Sequence, residues 1–147
     1  MKIFLIWVND ENFYRLLPED LGGSKPGDPR VKVMGFPPLG IETLAPVLRQ
    51  HGHQVRMFDT CHPQMKEADV VRAAREARPD VIALSFLSTT TYPGSKSMAR
   101  ALKAELPGAP IIVGGVFATI TRNGYCETAR TLTRWGSVKA KNYCPIT

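Results

Sequence analysis

Cysteine, histidine and clustered carboxylates are scarce in this chain, and each scarcity removes a class of function. Of 147 residues, three are cysteine and three are histidine. Cys61, Cys126 and Cys144 form no C-x-x-C and no tight metal spacing, so neither a zinc centre nor a disulfide framework is expected. Sparse, unpaired cysteine fits a reducing, cytoplasmic setting. No apolar run approaches the roughly 20 residues of a membrane span. The opening Met1-Lys2 and its six following apolar residues are interrupted by Asn9, Asp10 and Glu11, with no small-residue cleavage site. That start reads as a first strand, not a secretory leader. There is no Ser-His-Asp order, no pair of carboxylates in a cleft pattern and no metal-spaced His/Cys cluster, so no catalytic or metal-ligating residue is assigned. Cys61 and His62 are neighbours, but adjacent loop side chains point apart more often than they pair as nucleophile and base.

The formal net charge of +6 misleads as a guide to partners. Residues 1–118 hold 14 Lys+Arg against 12 Asp+Glu, a net +2, while 119–147 hold five against one, a net +4. The basic excess is mostly a property of the tail. Basic tails can bind nucleic acid, but this one has no helical stripe and no interleaved aromatic platform. No nucleic acid, membrane or protein partner is read from it.

What is present is a repeating rhythm. Four short apolar runs, Ile3 to Val8, Gln54 to Phe58, Val81 to Ser85 and Pro110 to Val113, each end in small or polar residues. Helical patterns lie between them and no hairpin signal does, so the strands are expected to be parallel and buried on both faces. A first helix is expected from about Leu39, with Ile41, Leu44, Val47 and Leu48 as its buried stripe. Pro46 should kink that helix or delay its start, and Gly52 should stop it. A second helix, about Glu67 to Arg78, should bury Val70, Val71, Ala74 and Ala77. A third, from about Pro93 to Pro107, should bury Met98, Ala101 and Leu102. The segment Asn9 to Pro38, rich in Gly and Pro, reads as a long covering or functional loop. Right-handed crossovers then give an α/β fold, a three-layer doubly wound parallel sheet of four to five strands in the order 2-1-3-4, with any fifth strand beyond the fourth.

Ligands of such sheets sit beyond the carboxyl ends of the strands, where the strand order reverses. Those ends carry Trp7, Val8 and Asn9; Asp59; Ser85 to Thr91; and Gly114 to Thr119. They are small, hydroxylated and nearly uncharged, which favours a bulky, mostly apolar ligand over proton-transfer chemistry. A receiver-like signalling domain would need an aspartate after the third strand, and Ser85-Phe86-Leu87 has none. A nucleotide- or flavin-binding domain would carry G-x-G-x-x-G after the first strand. Here the glycine pair, Gly114-Gly115, follows the fourth.

In order and spacing, the set Met1-Lys2-Ile3, Phe36-Pro37-Pro38-Leu39-Gly40-Ile41, Gly52-His53-Gln54-Val55 to Asp59, Pro79 to Ser85, Thr91-Tyr92-Pro93 and Pro110 to Thr119 resembles a known domain. It is the N-terminal cobalamin-binding domain of cobalamin-dependent radical S-adenosylmethionine enzymes, the magnesium-protoporphyrin monomethyl ester cyclase and radical methyltransferase type. The resemblance covers residues 1 to about 119. It implies a Rossmann-like, flavodoxin-like sheet holding cobalamin through Trp7, Val8, Asn9, Asp59, Ser85, Phe86, Leu87, Ser88, Thr89, Thr90, Gly114, Gly115, Phe117 and Thr119. The cofactor's dimethylbenzimidazole tail would lie where Gly114-Gly115 offers no Cβ. The hydroxyls of Ser85, Ser88, Thr89 and Thr90 would bond its ribose and phosphate, and the corrin would lie near Trp7, Val8 and Phe86. The D-x-H-x-x-G motif that puts an imidazole on cobalt is missing. Asp59-Thr60-Cys61-His62 has one residue too many and lacks the glycine, so His62 reads as a solvated loop residue.

Residues 120–147 do not continue the pattern. The family proceeds with a further helix, a short fifth strand, a glycine-acid turn and a radical domain bearing C-x-x-x-C-x-x-C. That radical domain would supply the [4Fe-4S] cluster and S-adenosylmethionine of the intact parent enzyme. This tail holds cysteines at 126 and 144 only, so the chain is not expected to be catalytic alone. It divides into a cobalamin-binding domain, 1–119, and an atypical basic tail, 120–147, expected to be foreign to the domain and read out of frame.

Overall fold

The computed structural model describes residues 1–8, 37–62, 64–85 and 87–118, together with the backbone of 134–135. Strand β1 (Lys2–Trp7) leads to helix α1 (Leu39–Gln50), β2 (Gln54–Asp59), α2 (Glu67–Ala77) and β3 (Val81–Ser85). A 3-10 turn (Thr89–Thr91) opens α3 (Tyr92–Glu105), which is followed by β4 (Ile111–Gly114) and β5 (Arg134–Trp135). The sheet order is β2-β1-β3-β4-β5, and every pairing is parallel. The expected doubly wound order 2-1-3-4 is therefore the observed one. The segment 9–36 and the residues 119–133 and 136–147 lie outside the described part, and with them most of the long loop and of the tail.

Two apolar clusters sandwich the sheet. Alternate residues of β1 divide between them, as the two-residue period of a strand requires. Phe4, Ile6 and Val8 join Val70, Ala73, Ala74, Met98, Ala99 and Leu102 on the side of α2 and α3. Ile3 and Leu5 join Ile41, Ala45 and Val55 under α1. Arg75 and Glu105 tie α2 to α3 through two hydrogen bonds of 2.9 and 2.7 Å.

Details of the helices differ from the pattern expected. In α1 the buried stripe is Ile41 and Ala45 with half-buried Leu48, whereas Leu44 and Val47 are 43% and 45% exposed. The stripe 41, 44, 47 and 48 spans about 120° at 100° per residue, and only its Ile41 and Leu48 side, with Ala45, meets the sheet. The crossover from β1 to β2 is right-handed. At 100° per residue, this turns Leu44 and Val47 toward the space over β3. Pro46 sits within α1 and does not delay its start. It is exposed, so water can serve the carbonyl that its ring leaves unbonded. In α2 Ala73 is buried where Val71 and Ala77 are half-buried, and in α3 Ala99 replaces Ala101. The second helix ends on Arg78 in the left-handed conformation, φ 47°.

One asymmetry matters for function. On the face of α1, only β1 and β2 lie beneath a helix among the described residues. Over β3 and β4, Val81, Ala83, Ser85, Ile112 and Gly114 are all half-buried. The opposite faces of the same strands, Ile82, Leu84, Ile111 and Val113, are 0 or 1% exposed.

Candidate functional site at the carboxyl rim

The carboxyl ends of four strands stand in register. Trp7 pairs with Asp59 on one side and Ser85 on the other, and Ser85 pairs with Gly114. Asp59, Trp7, Ser85 and Gly114 thus form one row across β2, β1, β3 and β4, on the face that carries α1. The next row toward the amino end is Met57, Leu5, Ala83 and Ile112. Over β3 and β4 the two rows contribute Ser85, Gly114, Ala83 and Ile112. Three of these four are among the smallest residues available. They floor a shallow trough, with Trp7 at its rim and the Leu44 flank of α1 as a wall.

Gly114 is the centre of that trough. A Cβ built on it would meet no atom within 4 Å, so the space above is open and not filled by a neighbouring side chain. Its successor Gly115 has φ 106°, a conformation that residues with a Cβ rarely adopt. The two glycines therefore act differently: the first leaves space, the second turns the chain. Residues 116–118 then start a helix whose Ala118 is buried in the α2/α3 cluster.

The rim is fixed by backbone and hydroxyl bonds. The Val8 N–H donates to the Ser85 carbonyl at 3.1 Å, and the Thr60 N–H and Oγ1 both donate to the Trp7 carbonyl, at 3.1 and 2.9 Å. Asp59 Oδ1 accepts from the Cys61 N–H at 2.8 Å. After β3, Thr91 is buried and its Oγ1 donates to the Ser88 carbonyl at 2.7 Å. Ser88 Oγ lies 2.7 Å from Thr90 Oγ1, a hydroxyl pair at the start of α3.

The expected site residues are not all brought together. Trp7, Asp59, Ser85 and Gly114 share the row. Ser88, Thr89 and Thr90 follow β3 at the same rim, with Thr89 and Thr90 exposed, and Leu87 is 42% exposed. Val8, in contrast, is buried to 4% in the cluster of α2 and α3. A strand alternates its faces, so Val8, the neighbour of Trp7, must point away from the face that Trp7 occupies. Phe117 also packs against that opposite cluster. Asn9, Phe86 and Thr119 lie outside the described residues. Two trough residues were missed, Ala83 and Ile112. Stepping back two positions from Ser85 and Gly114 along their strands would have found both.

Two of the cavities among the described residues compete with the trough. One of about 260 Å³, bounded by Val8, Thr60, Met65 and Met98, opens at the same rim on the α2/α3 side. It is smaller than the roughly 300–1,000 Å³ of ordinary ligand pockets. The other, about 630 Å³ beside Arg78, Asp80 and Glu105, lies at the amino rim, away from the strand ends where such sheets bind. Among the described residues no group of three His, Cys, Asp or Glu side chains could hold a metal ion. His62 is exposed and its Nδ1 accepts from the Gln64 N–H in its own turn, at 3.4 Å. No described helix is long and apolar enough to cross a membrane.

Over 78 residues the chain is 35% identical to the hopanoid C-3 methylase of Methylococcus capsulatus (strain ATCC 33009 / NCIMB 11132 / Bath), a match covering 53% of this chain and 15% of the methylase. The fold is similar to the 1.5 Å crystal structure of a cobalamin-binding protein from Desulfitobacterium hafniense DCB-2. That match has a TM-score of 0.52 and 18% identity, and covers 83% of this chain and 48% of the other. The family model described as B12 binding domain matches residues 11–133, and the chain belongs to the B12-binding domain family.

Proposed function

We propose that this domain binds cobalamin with the cofactor's nucleotide tail on the α1 face of β3 and β4. The single observation that carries the reading is the Ser85–Gly114 pair. A strand end that offers a hydroxyl and, beside it, an empty Cβ position accepts a flat aromatic group with a sugar-phosphate attached. The residues fit the group. Gly114 and Ala83 leave the sheet surface low enough for a ring to lie on it, and Ile112 gives it an apolar floor. Leu44 and Val47 flank it with exposed apolar surface whose burial is favourable at about 25 cal/mol per Å². Ser85 and the Ser88–Thr90 pair supply hydroxyls for the ribose and phosphate. Trp7, half-buried at the rim, faces the larger corrin ring.

When bound, cobalamin supplies methyl-group transfer or a partner for radical chemistry. The chain's own contribution is to hold and orient it. His62 turns into its own loop, so the chain would hold cobalamin through the trough residues and not through that imidazole. The likeness to a methylase and the motif order of the strands support a wider reading. The domain is the N-terminal, cobalamin-holding part of a radical S-adenosylmethionine enzyme acting in the cytoplasm. The whole enzyme's substrate would then be recognised elsewhere.

The test is visible absorbance after the purified protein is mixed with hydroxocobalamin and desalted. A red chromophore co-eluting at near one per chain is expected. A colourless protein fraction rejects the proposal.

A further inference from the structure

We infer that residues from about 120 onward are encoded out of frame, and that the frame one base earlier encodes the segment this fold requires. The inference stands on the fold and the genetic code, independently of whether cobalamin binds.

The first observation is structural. Strand β5 consists of Arg134 and Trp135, placed against Ile112 and Val113 of β4. Parallel strands covered on both sides are normally runs of β-branched and aliphatic residues. Here the fifth strand is two residues long and one of them is arginine, in a stretch, 130–141, that holds four basic residues and no acid. Over β3 and β4 the α1 face is half-covered, and the flank of α1 that faces it is exposed at Leu44 and Val47.

The second observation is in the codons. Let each codon of the other frame take the third base of one codon and the first two of the next. Trp135-Gly136 then gives Gly, and Asn142-Tyr143 and Tyr143-Cys144 each give Leu, with no freedom in any of the three. Permitted third bases let Leu132 to Pro145 read D-A-V-G-V-R-E-G-E-E-L-L-P. The same operation lets Thr121 to Thr128 read P-E-R-V-L-R-D. The second string opens a helix, with Pro and Glu in the first turn. The first string places A-V-G-V at the position of β5, small and β-branched where the present frame has Arg134-Trp135. It then has three acidic residues where the present frame carries most of the chain's basic excess.

Loss of one base near codon 120 produces this relation, and the nucleotide sequence tests it at four positions. If the other frame is the functional one, it must be open. Arg122, Val138 and Ala140 are followed by codons beginning AA, so none of the three can end in thymine without creating TAA. Cys126 is followed by GA, so its codon must be TGC and not TGT. The expected result is that all four conditions hold and that the frame continues open beyond Thr147. A stop at any of the four overturns the inference. A second measurement compares the present chain with a version carrying one restored base. The restored protein is expected to melt at a higher temperature and more cooperatively. An unchanged or lower melting temperature also counts against the inference, whatever either protein does with cobalamin.

Discussion

Ser85 and Gly114 stand directly opposite one another on β3 and β4, one offering a hydroxyl and the other no side chain at all. Register makes this pair a site. Twenty-nine positions apart in sequence, they are neighbours because a right-handed crossover through α3 returns the chain beside its starting strand.

Filling the trough should abolish binding without unfolding the protein. Gly114→Phe adds a ring where a Cβ meets nothing within 4 Å, so the substitution meets open space and not backbone. Circular dichroism and the melting temperature should change little, while hydroxocobalamin no longer survives desalting. Undiminished retention by a folded Gly114→Phe protein would mean that the cofactor sits elsewhere.

Ser85→Ala probes the polar half of the pair. Ser85 is half-buried, and removal of its hydroxyl leaves the strand backbone bonds in place. A net hydrogen bond is worth about 0.5–1.5 kcal/mol. The dissociation constant for cobalamin should therefore rise roughly 2- to 10-fold, read by titration of the absorbance change. No change in affinity would take Ser85 out of the contact set.

The strand order and the rim were legible in the sequence because both follow from short-range signals. Four apolar runs separated by helical patterns leave few topologies once crossovers must be right-handed. Side-chain direction was less legible. Val8 and Trp7 are adjacent in sequence and both end the first strand, yet only Trp7 faces the trough. Nothing in an unbroken apolar run marks which alternate set meets which helix. The same problem affected α1, where Leu44 and Val47 match the helical period as well as Ile41 and Ala45 do. Their exposure depends on how wide a strip of sheet one helix can cover. That is a tertiary quantity, and periodicity does not contain it.

Arg78 ends α2 in the left-handed region, φ 47°, immediately before Pro79. Left-handed backbone costs a residue with a Cβ about 1 kcal/mol or more, and glycine is the usual occupant of this position at a helix end. Arg78 also forms no ion pair among the described residues, unlike Arg75 with Glu105. Arg78→Gly should therefore raise stability by up to about 1 kcal/mol, after the larger entropy loss of glycine is set against the relieved strain. A urea unfolding midpoint that moves upward with an unchanged slope is the expected result. A fall in the midpoint would show that the arginine side chain contributes more than its backbone strain costs.

The two adjacent glycines should respond in opposite ways to the same small change. Gly114 is the last residue of β4, with open space where its Cβ would be, and glycine in a strand is unfavourable by roughly 0.5–1 kcal/mol relative to alanine. Gly114→Ala should leave stability unchanged or slightly raised. Gly115 has φ 106°, outside the range open to alanine without strain of order 1–3 kcal/mol. Gly115→Ala should lower the unfolding free energy by about that amount, a sizeable share of a typical margin of about 5–15 kcal/mol. It should also disturb the start of the helix at 116–118, and with it the seat of Ala118 in the α2/α3 cluster. Denaturant unfolding of the two variants side by side separates the roles. Equal destabilisation would mean that both glycines serve the turn, and the open space over Gly114 would lose its claim to be the reason for that residue.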